Sequence, residues 1–159
     1  MAEGKLGHLT KLPIDAIKEV VSVKPQVECP KAEILGVLRD IKTAVDGRDY
    51  VPQAPTRDSP SLSDVYIFDT NDEELILKDL SSDNFVGKII DVGKGAKKRL
   101  ENGLPQEYLY VFKYPCKLQR RDADIDEDSD NVLIYIKINN RKVPYRKVII
   151  VSFHKNRIK

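Results

Sequence analysis

The last apolar run of the chain ends in side chains that are suited to proton transfer and phosphate binding. It reads Val-Ser-Phe-His-Lys-Asn-Arg over residues 151–157, which brings His154, Lys155 and Arg157 close together. Cleavage of RNA by its own 2′-hydroxyl needs a base for the hydroxyl proton, an acid for the leaving oxygen and cations for the phosphate. Imidazole titrates near neutrality, so His154 suits either proton role, while Lys155 and Arg157 suit the phosphate. A surface histidine without a task is the alternative that these residues leave open.

A second set of cations follows two closely spaced glycines. Gly93 and Gly95 precede a basic stretch, and glycines that open a helix can present backbone N–H groups to a phosphate. The nucleotide-binding P-loop pattern is absent, because Lys94 is followed by Gly95 and not by serine or threonine. We therefore predict a basic helix over residues 96–102 that faces RNA, with a solvated helix as the alternative. The candidate RNA-binding residues of this region are Lys88, Lys94, Lys97, Lys98 and Arg99.

Aromatic side chains alternate along the segment that follows. Strand side chains alternate between two sides, so one face would carry Tyr108, Tyr110, Phe112 and Tyr114. Aromatic rings interleaved with cations such as Lys117 and Arg120 can stack bases and bind phosphates, which makes both cations RNA-binding candidates. The same stripe is also typical of a core face beneath a helix. Tyr114, next to Pro115, is predicted to reach the surface and is a further catalytic candidate.

The sequence predicts no metal site and no cofactor. Two cysteines, Cys29 and Cys116, and two histidines lack the ligand spacing of a zinc site. The acidic run over residues 122–130 lacks the glycine of an EF-hand calcium loop, so we expect a solvated loop there. Both thiols are expected to be free, although a single disulfide stays open.

Charge is distributed unevenly along the chain. The net charge is +2, yet residues 1–80 contain 10 basic and 15 acidic residues, whereas residues 81–159 contain 17 basic and 10 acidic ones. Six of the latter acidic residues lie in the run 122–130. A strongly basic surface is typical of polyanion binding, although charge alone does not exclude a solvated surface. No apolar run approaches the roughly 20 residues that span a bilayer, so a soluble protein is expected.

The N-terminal third is predicted to be helical and to end in a linker. Apolar residues recur at helical spacing over 13–21 and, more clearly, over 34–45, with Gly47 at the position of a C-terminal cap. The residues that then interrupt the pattern are Pro52, Pro55 and Pro60. We therefore divide the chain into a helical N-terminal segment with a proline-rich linker, residues 1–60, and a basic α+β domain, residues 64–159.

The second domain is predicted to contain an antiparallel sheet. Residues 132–138 alternate between apolar and polar side chains, as a half-buried strand does, and residues 145–153 contain an apolar run. Asn139-Asn140 favours a tight turn between these two strands. Further expected segments are strands over 64–68 and 107–112, a short apolar run over 86–92, and a strand or short helix over 73–80. Residues 114–118 either continue the strand over 107–112 or start another. The predicted fold class is α+β, with N-terminal helices followed by a C-terminal antiparallel β-sheet.

This second domain resembles the barnase/EndoU/colicin/RelE-like (BECR) ribonuclease superfamily, as found in toxin domains of contact-dependent growth inhibition proteins and phage-borne relatives. The resemblance lies in a basic helical lead-in, Lys97-Lys98-Arg99, and an antiparallel sheet whose last strand ends in Ser152-Phe153-His154-Lys155. It implies metal-independent cleavage of RNA, often of tRNA, that leaves a 2′,3′-cyclic phosphate. It also implies a cognate immunity protein and delivery to the cytoplasm of a target bacterium, with residues 1–60 serving entry.

One departure from the family concerns the second catalytic group. Many members use two catalytic histidines, and His8 is expected to be too remote to be the second one here. A lysine, an arginine or a tyrosine such as Tyr114 would then fill that role.

Two functions of other classes stay open. A non-catalytic nucleic-acid-binding or protein-binding module would need the basic sheet but not His154. An immunity or antitoxin protein would bind its partner through the acidic N-terminal half.

Overall fold

The computed structural model describes residues 8–17, 27–52, 62–121, 129–143 and 146–155, with the backbone alone for residues 152, 154 and 155. Within these ranges the chain forms three α-helices and six β-strands. In order they are β1 (Leu9–Lys11), α1 (Lys31–Asp46), β2 (Tyr50–Val51), α2 (Thr70–Asp79), β3 (Phe85–Ile90), α3 (Lys94–Glu101), β4 (Tyr108–Gln119), β5 (Ser129–Arg141) and β6 (Lys147–Lys155). Short 3₁₀ turns at Leu62–Asp64 and Ser82–Asn84 precede α2 and β3.

The strands form one sheet that is mostly antiparallel. Its order is β1-β4-β5-β6-β2, with β3 also paired to β4. The β2–β6 pair is parallel, and the other named pairs are antiparallel. The predicted α+β class is therefore confirmed. The N-terminal segment is not purely helical, because β1 and β2 belong to the same sheet as the strands of the second domain.

The expected antiparallel pairing of the last two strands is confirmed, but the expected turn at Asn139-Asn140 is wrong. Both asparagines pair with residues of β6, so β5 continues to Arg141 before the chain reverses. Asparagine tolerates turn conformations without requiring them. Here the side chain of Asn139 donates to Glu107 and that of Asn140 donates to Asp40, which offsets the low strand propensity of asparagine.

A β-bulge interrupts β6 at Val151. Ile138 pairs with Ile150, whereas the preceding residue of β5, Lys137, pairs with Ser152. One extra residue of β6 therefore lies between two consecutive pairs. Val151 is exposed, and every pair beyond it is shifted by one residue.

Residues 114–118 continue the strand expected over 107–112, which confirms the first of the two alternatives, and together they form β4 with Pro115 inside it. In an antiparallel pair the N–H and C=O of one residue point to the same neighbour. The carbonyl of Pro115 accepts a hydrogen bond from the N–H of Leu12 at 3.1 Å, so its missing donor also faces that side. On that side β3 begins opposite Phe112 and β1 ends opposite Cys116. The proline therefore falls in the gap between two neighbours, where no strand needs its N–H.

Helices α1 and α2 pack with one side of the sheet, which we call the helix-covered face. The residues of β4 and β5 buried there are Phe112, Tyr114, Cys116, Leu118, Val132, Ile134, Ile136 and Ile138. The α1 positions buried with them are Ile34, Val37, Leu38, Ile41 and Val45, which confirms the helix predicted there. Burial of each aliphatic side chain contributes roughly 1.5–3 kcal/mol to the stability of the folded state. None of the helices in the described ranges is both long and apolar enough to cross a membrane.

Two predicted elements differ from the structure. The helix expected over 13–21 is absent from its described part, which forms turns, and residues 18–26 lie outside the described residues. The strand expected over 64–68 is a turn with one bridge between Tyr66 and Arg120. The helical alternative for 73–80 is confirmed by α2, because Asp69 and Asp72 cap its first turn reciprocally. Most of the proline-rich linker, residues 53–61, is also outside the described part.

Candidate nucleic-acid interface

The side of β4 and β5 opposite the helix-covered face carries basic side chains. Register pairs place Lys113 opposite Tyr135, Val111 opposite Lys137 and Lys117 opposite Asn131, and residues that face each other share one side of a sheet. We call this side the basic face and define it by Lys113, Lys117, Tyr135, Lys137 and Arg141. Within β4 and β5 it includes no acidic residue. A phosphate backbone that lies along these two strands would therefore meet positive charges and no negative ones.

The lysines of the basic face differ in exposure. Lys117 is exposed, whereas Lys113 and Lys137 are half-buried. The Lys137 Nζ lies 5.7 Å from the ring centroid of Tyr135, a cation–π distance. Beneath them Val111 and Tyr135 form a small apolar cluster with residues of β3. Tyr135 is 9% exposed, so the face offers phosphate-binding cations more readily than a platform for base stacking.

A group of hydrogen-bonded charged residues, here called the Glu107 cluster, lies at the end of the basic face. It consists of Asp91, Arg99, Glu107, Asn139 and Arg141. Arg99 donates to both carboxylate oxygens of Glu107, with Nη2 2.9 Å from Oε1. The buried Asn139 donates from Nδ2 to Glu107 Oε1 at 2.7 Å and to Asp91 Oδ2 at 3.2 Å. Arg141 Nε lies 3.4 Å from Glu107 Oε1, so the cluster connects α3 to both central strands.

The electrostatics of the cluster follow from these bonds. Burial alone would raise the pKa of the Glu107 carboxyl, but hydrogen bonds from Arg99 and Asn139 and the charge of Arg141 hold that pKa below its ordinary value. Glu107 is therefore ionised at neutral pH. With Asp91 the two carboxylates balance the two guanidinium groups, so the cluster positions its arginines without adding net charge.

Helix α3 confirms the predicted basic helix and exposes all three of its lysines. Those exposed side chains are Lys94, Lys97 and Lys98. Arg99 instead turns to Glu107, which occupies its guanidinium. The N–H of Gly93, at the start of α3, donates to Asp91 Oδ1 at 2.9 Å. A carboxylate at this helix end repels a phosphate, so the glycines are poorly suited to the phosphate capture predicted for them.

Lys88 lies on the helix-covered side of the sheet and not on the basic face. Its Nζ is 2.6 Å from Glu33 Oε2 and 4.4 Å from the ring centroid of Tyr108. Its side chain is only 11% exposed. These contacts occupy Lys88 within the fold, which leaves it poorly placed for the RNA-binding role predicted from its sequence context.

Tyr114 is buried, and the prediction that it reaches the surface is wrong. Its position in β4 directs the ring to the helix-covered face, where it is 1% exposed. The hydroxyl donates to Asp79 Oδ2 at 2.8 Å. Burial first, and then this hydrogen bond, raise the pKa of Tyr114. The ring belongs to the core, as the alternative interpretation of the aromatic stripe held.

The remaining predicted cations occupy two different surroundings. Lys117 is exposed on the basic face. Arg120, by contrast, pairs through Nη1 with Asp130 Oδ1 at 2.8 Å, and Asp130 also accepts a hydrogen bond from Tyr66. Lys117 therefore fits an RNA-binding role better than Arg120 does.

The backbone of His154 lies in β6, paired opposite Tyr135 of the basic face. The side chains of His154 and Lys155, and all of Arg157, lie outside what the structure describes. Tyr135 and Asn139 are four positions apart along β5, a distance of about 13 Å at roughly 3.3 Å per residue. The His154 position and the Glu107 cluster are therefore at different ends of the same strand pair.

His8 is bonded elsewhere. Its Nε2 lies 2.8 Å from Asp72 Oδ1, and Asp72 is 1% exposed. The carbonyl of His8 accepts a hydrogen bond from the N–H of Gln119 in β4. The backbone of His154 is level with Lys113 of β4, because both pair with Tyr135. Gln119 and Lys113 are six positions apart along β4, a distance of about 20 Å. The two histidines are thus at separate sites, in line with the expectation that His8 is remote.

Neither thiol is in a disulfide, as expected. Cys29 and Cys116 are both free, and burial raises the pKa of Cys116 to about 12. Among the described residues no group of three or more histidine, cysteine or acidic side chains is arranged to hold a metal ion.

Sequence reasoning missed the cations that make up most of the basic face, Lys113, Lys137 and Arg141, and the buried Glu107 and Asn139. The signal was present in the alternation over residues 132–138, whose polar positions include Lys137. No family model, curated protein or solved structure matches the chain. Function is therefore inferred from the chemistry of the basic face.

Proposed function

We propose that the protein is a metal-independent endoribonuclease of the bacterial toxin type, which holds RNA along the basic face. The observation that carries the proposal is the run of cations without an acidic residue on one side of β4 and β5. Lysine and arginine bind a polyanion mainly through phosphate charge, which needs no base-specific contact. The basic face fits that mode, because its aromatic ring is largely buried.

The proposed chemistry uses His154, whose backbone pairs opposite Tyr135. A base removes the proton of the 2′-hydroxyl, and the oxygen attacks the adjacent phosphorus. The bond from phosphorus to the 5′-oxygen breaks, and an acid supplies the proton for that oxygen. The products are a 2′,3′-cyclic phosphate and a 5′-hydroxyl. His154 serves one of the two proton transfers, and a cation near the basic face stabilises the negative charge of the transition state.

Incubation of the purified protein with total RNA and with tRNA, in the presence of EDTA, tests the proposal. We expect cleavage, with cyclic phosphate termini detected by mass spectrometry and no effect of EDTA. Intact RNA after incubation with a protein that binds it in a salt-dependent manner would instead favour a non-catalytic nucleic-acid-binding module. The basic face supports that second candidate equally well, because binding does not require His154.

An immunity or antitoxin function has less support. It would use the acidic residues of the N-terminal half, yet several of them bond with cations inside the fold. Glu33 binds Lys88, and Asp40 binds Lys142 and Arg146. For a toxin, the implied partner is an immunity protein with an acidic surface that covers the basic face, and the place of action is the cytoplasm of a target bacterium.

A further inference from the structure

A large groove lies where the end of α1 meets the end of β5 and the start of β6. Its volume is about 1070 Å³, and we call it the end groove. The cations that line it are Arg39, Arg48, Lys142, Arg146 and Lys147. The acidic residues that line it are Glu33, Asp40 and Asp49. The groove therefore has an excess of positive charge.

Two of the three acidic residues of the end groove, Asp40 and Glu33, are already occupied. Asp40 accepts from Asn140, Lys142 and Arg146, each at 2.8 Å, so one carboxylate faces two cations. These bonds and charges outweigh burial and lower the pKa of Asp40, which is therefore ionised at neutral pH. Glu33 is likewise bonded to Lys88. The cations of the groove still outnumber the remaining carboxylate, that of Asp49, so the charge offered to a ligand is mainly positive.

Two arginines of the groove have spare hydrogen-bonding capacity. In the part of the chain that the structure describes, neither the Arg39 nor the Arg48 guanidinium group makes a hydrogen bond or an ion pair. Both side chains are exposed. A guanidinium group offers five donors in a planar fork that matches a phosphate. The groove thus presents two unpaired guanidinium groups.

The backbone beneath Arg48 is unusual. Helix α1 ends in a Schellman motif, in which the N–H of Asp49 bonds to the carbonyl of Ala44 and that of Arg48 bonds to Val45. The left-handed residue of this motif is normally glycine, but here it is Arg48, with φ +52°. Gly47, one residue earlier, has φ −86° and needs no such freedom. An arginine therefore occupies a strained position where glycine would be more stable, and its side chain lines the groove.

The end groove is continuous with the basic face. A smaller cavity of about 170 Å³ is lined by Glu107, Asn139 and Arg141, which lie at the end of the basic face. The same cavity is lined by Tyr110, Asn140 and Lys142, which also line the end groove. A single strand of nucleic acid that leaves the basic face at Arg141 therefore has a path into the groove.

We infer that the end groove binds the sugar–phosphate backbone of an RNA strand that continues from the basic face, with Arg39 and Arg48 as phosphate ligands. The inference rests on the proposed function, because it extends the path of the same RNA. Continuity with the basic face favours RNA over an acidic peptide, which guanidinium groups would also bind.

Binding of two 2′-O-methyl oligoribonucleotides, of about 4 and about 16 residues, tests the inference. These oligomers resist cleavage because they lack a free 2′-hydroxyl. We expect Arg39→Gln and Arg48→Gly each to weaken binding of the long oligomer about tenfold. Each change should reduce the salt slope of log K by about 0.7 and leave the short oligomer unaffected. Lys42→Gln, an exposed change on α1 outside the groove, is the control and should bind as wild type.

Arg48→Gly separates binding from folding. Glycine suits the left-handed backbone, so this variant should raise Tm by about 2–4 °C while it loses affinity. A variant that is both more stable and a weaker binder cannot owe its defect to misfolding.

Three results would overturn the inference, and they are distinguishable. In the first, both groove variants bind the long oligomer as tightly as wild type, whereas a triple glutamine variant of Lys113, Lys117 and Lys137 binds it more weakly. The groove then does not bind RNA, and the proposed function is unaffected. In the second, wild type binds neither oligomer, which contradicts both the groove inference and the proposed function. Binding of polyglutamate that is lost in Arg48→Gly, with RNA binding unchanged, assigns the groove to an acidic protein partner.

Discussion

The two faces of the β4–β5 pair have opposite chemistry although they alternate along the same residues. On the helix-covered face the side chains of β4 and β5 from Phe112 to Leu118 and from Val132 to Ile138 are apolar, and most are fully buried. On the basic face Lys113, Lys137 and Arg141 share the intervening positions with buried apolar residues such as Val111 and Leu133. The chain thus places most of its core on one side of its central strands and their cations on the other. Changes on the first side should alter folding, and changes to the cations of the second should alter binding.

The largest expected effect concerns His154, which tests whether the basic face is catalytic. His154→Ala should lower RNA cleavage about 10²–10⁴-fold, the usual contribution of a positioned acid–base group. Initial rates on a fluorescent oligoribonucleotide measure it, with thermal unfolding as the control for folding. Undiminished cleavage by His154→Ala would move the chemistry to another residue.

Truncation on the helix-covered face should affect stability alone. Ile136 is fully buried, and Ile136→Ala should lower the free energy of unfolding by about 2–5 kcal/mol through lost burial and a new cavity. The neighbour Lys137, on the basic face, is the matched control, and Lys137→Ala should cost about 0.5 kcal/mol or less. Urea titration of both variants gives the comparison. Equal losses of unfolding free energy in the two variants would show that Lys137 is as much a part of the core as Ile136.

Neutralising the basic face should weaken RNA binding without unfolding the protein. The triple change of Lys113, Lys117 and Lys137 to glutamine should reduce the salt slope of log K by about 2, because each lost phosphate contact in a single strand removes about 0.7. The matching triple change of Lys94, Lys97 and Lys98 tests the exposed lysines of α3. If only the α3 variant loses affinity, RNA lies along the helix and not along the basic face.

Acid should destabilise the protein partly through Asp40. Its folded-state pKa is below the ordinary value, so the unfolded chain binds more protons in the window between the two. The stability that this group contributes is fully present above its unfolded pKa of about 3.9 and is lost as the pH falls through the folded pKa. Urea midpoints from pH 6 downward should therefore fall less steeply in Asp40→Asn than in wild type. Parallel pH curves would contradict the assigned ion pairs.

The smallest expected effect concerns Tyr114, which was predicted from the sequence to reach the surface but lies on the helix-covered face. Tyr114→Phe removes the hydrogen bond to Asp79 and should cost about 1 kcal/mol of stability. Cleavage should be unchanged, because the ring belongs to the core. A variant that folds but no longer cleaves RNA would restore Tyr114 as a catalytic residue.

Much of the fold was predictable, and the reasons are local. The spacing of Ile34 to Val45 determines α1, and the alternation over residues 132–138 determines β5. The turn expected at Asn139-Asn140 failed because both side chains find partners distant in sequence, Glu107 and Asp40, which no local pattern reveals. The short strands β1 and β2 were missed because three and two residues carry too little periodicity.

The site was less predictable than the fold, since it depends on which face each residue occupies. Lys88 and Tyr114 looked accessible in sequence, yet both lie on the helix-covered side. Lys117 and the α3 lysines were selected for local charge and are indeed exposed. Lys137 was overlooked because a single cation in an apolar strand attracts no attention until its neighbours are known.

The bulge at Val151 determines which face the last residues of β6 occupy. If Val151 were paired and the ladder ran on without a bulge, Phe153 would lie opposite Tyr135 and His154 opposite Ile134, one step from their present partners. The ring of Phe153, now 5.9 Å from that of Phe68 in the core, would then be aligned with the basic face. A chain that lacks residue 151 would instead keep every present pair, because Ser152 would follow Ile150 directly and still lie opposite Lys137. In related sequences the extra residue should therefore be dispensable, whereas the pairing of the histidine with the position of Tyr135 should be kept.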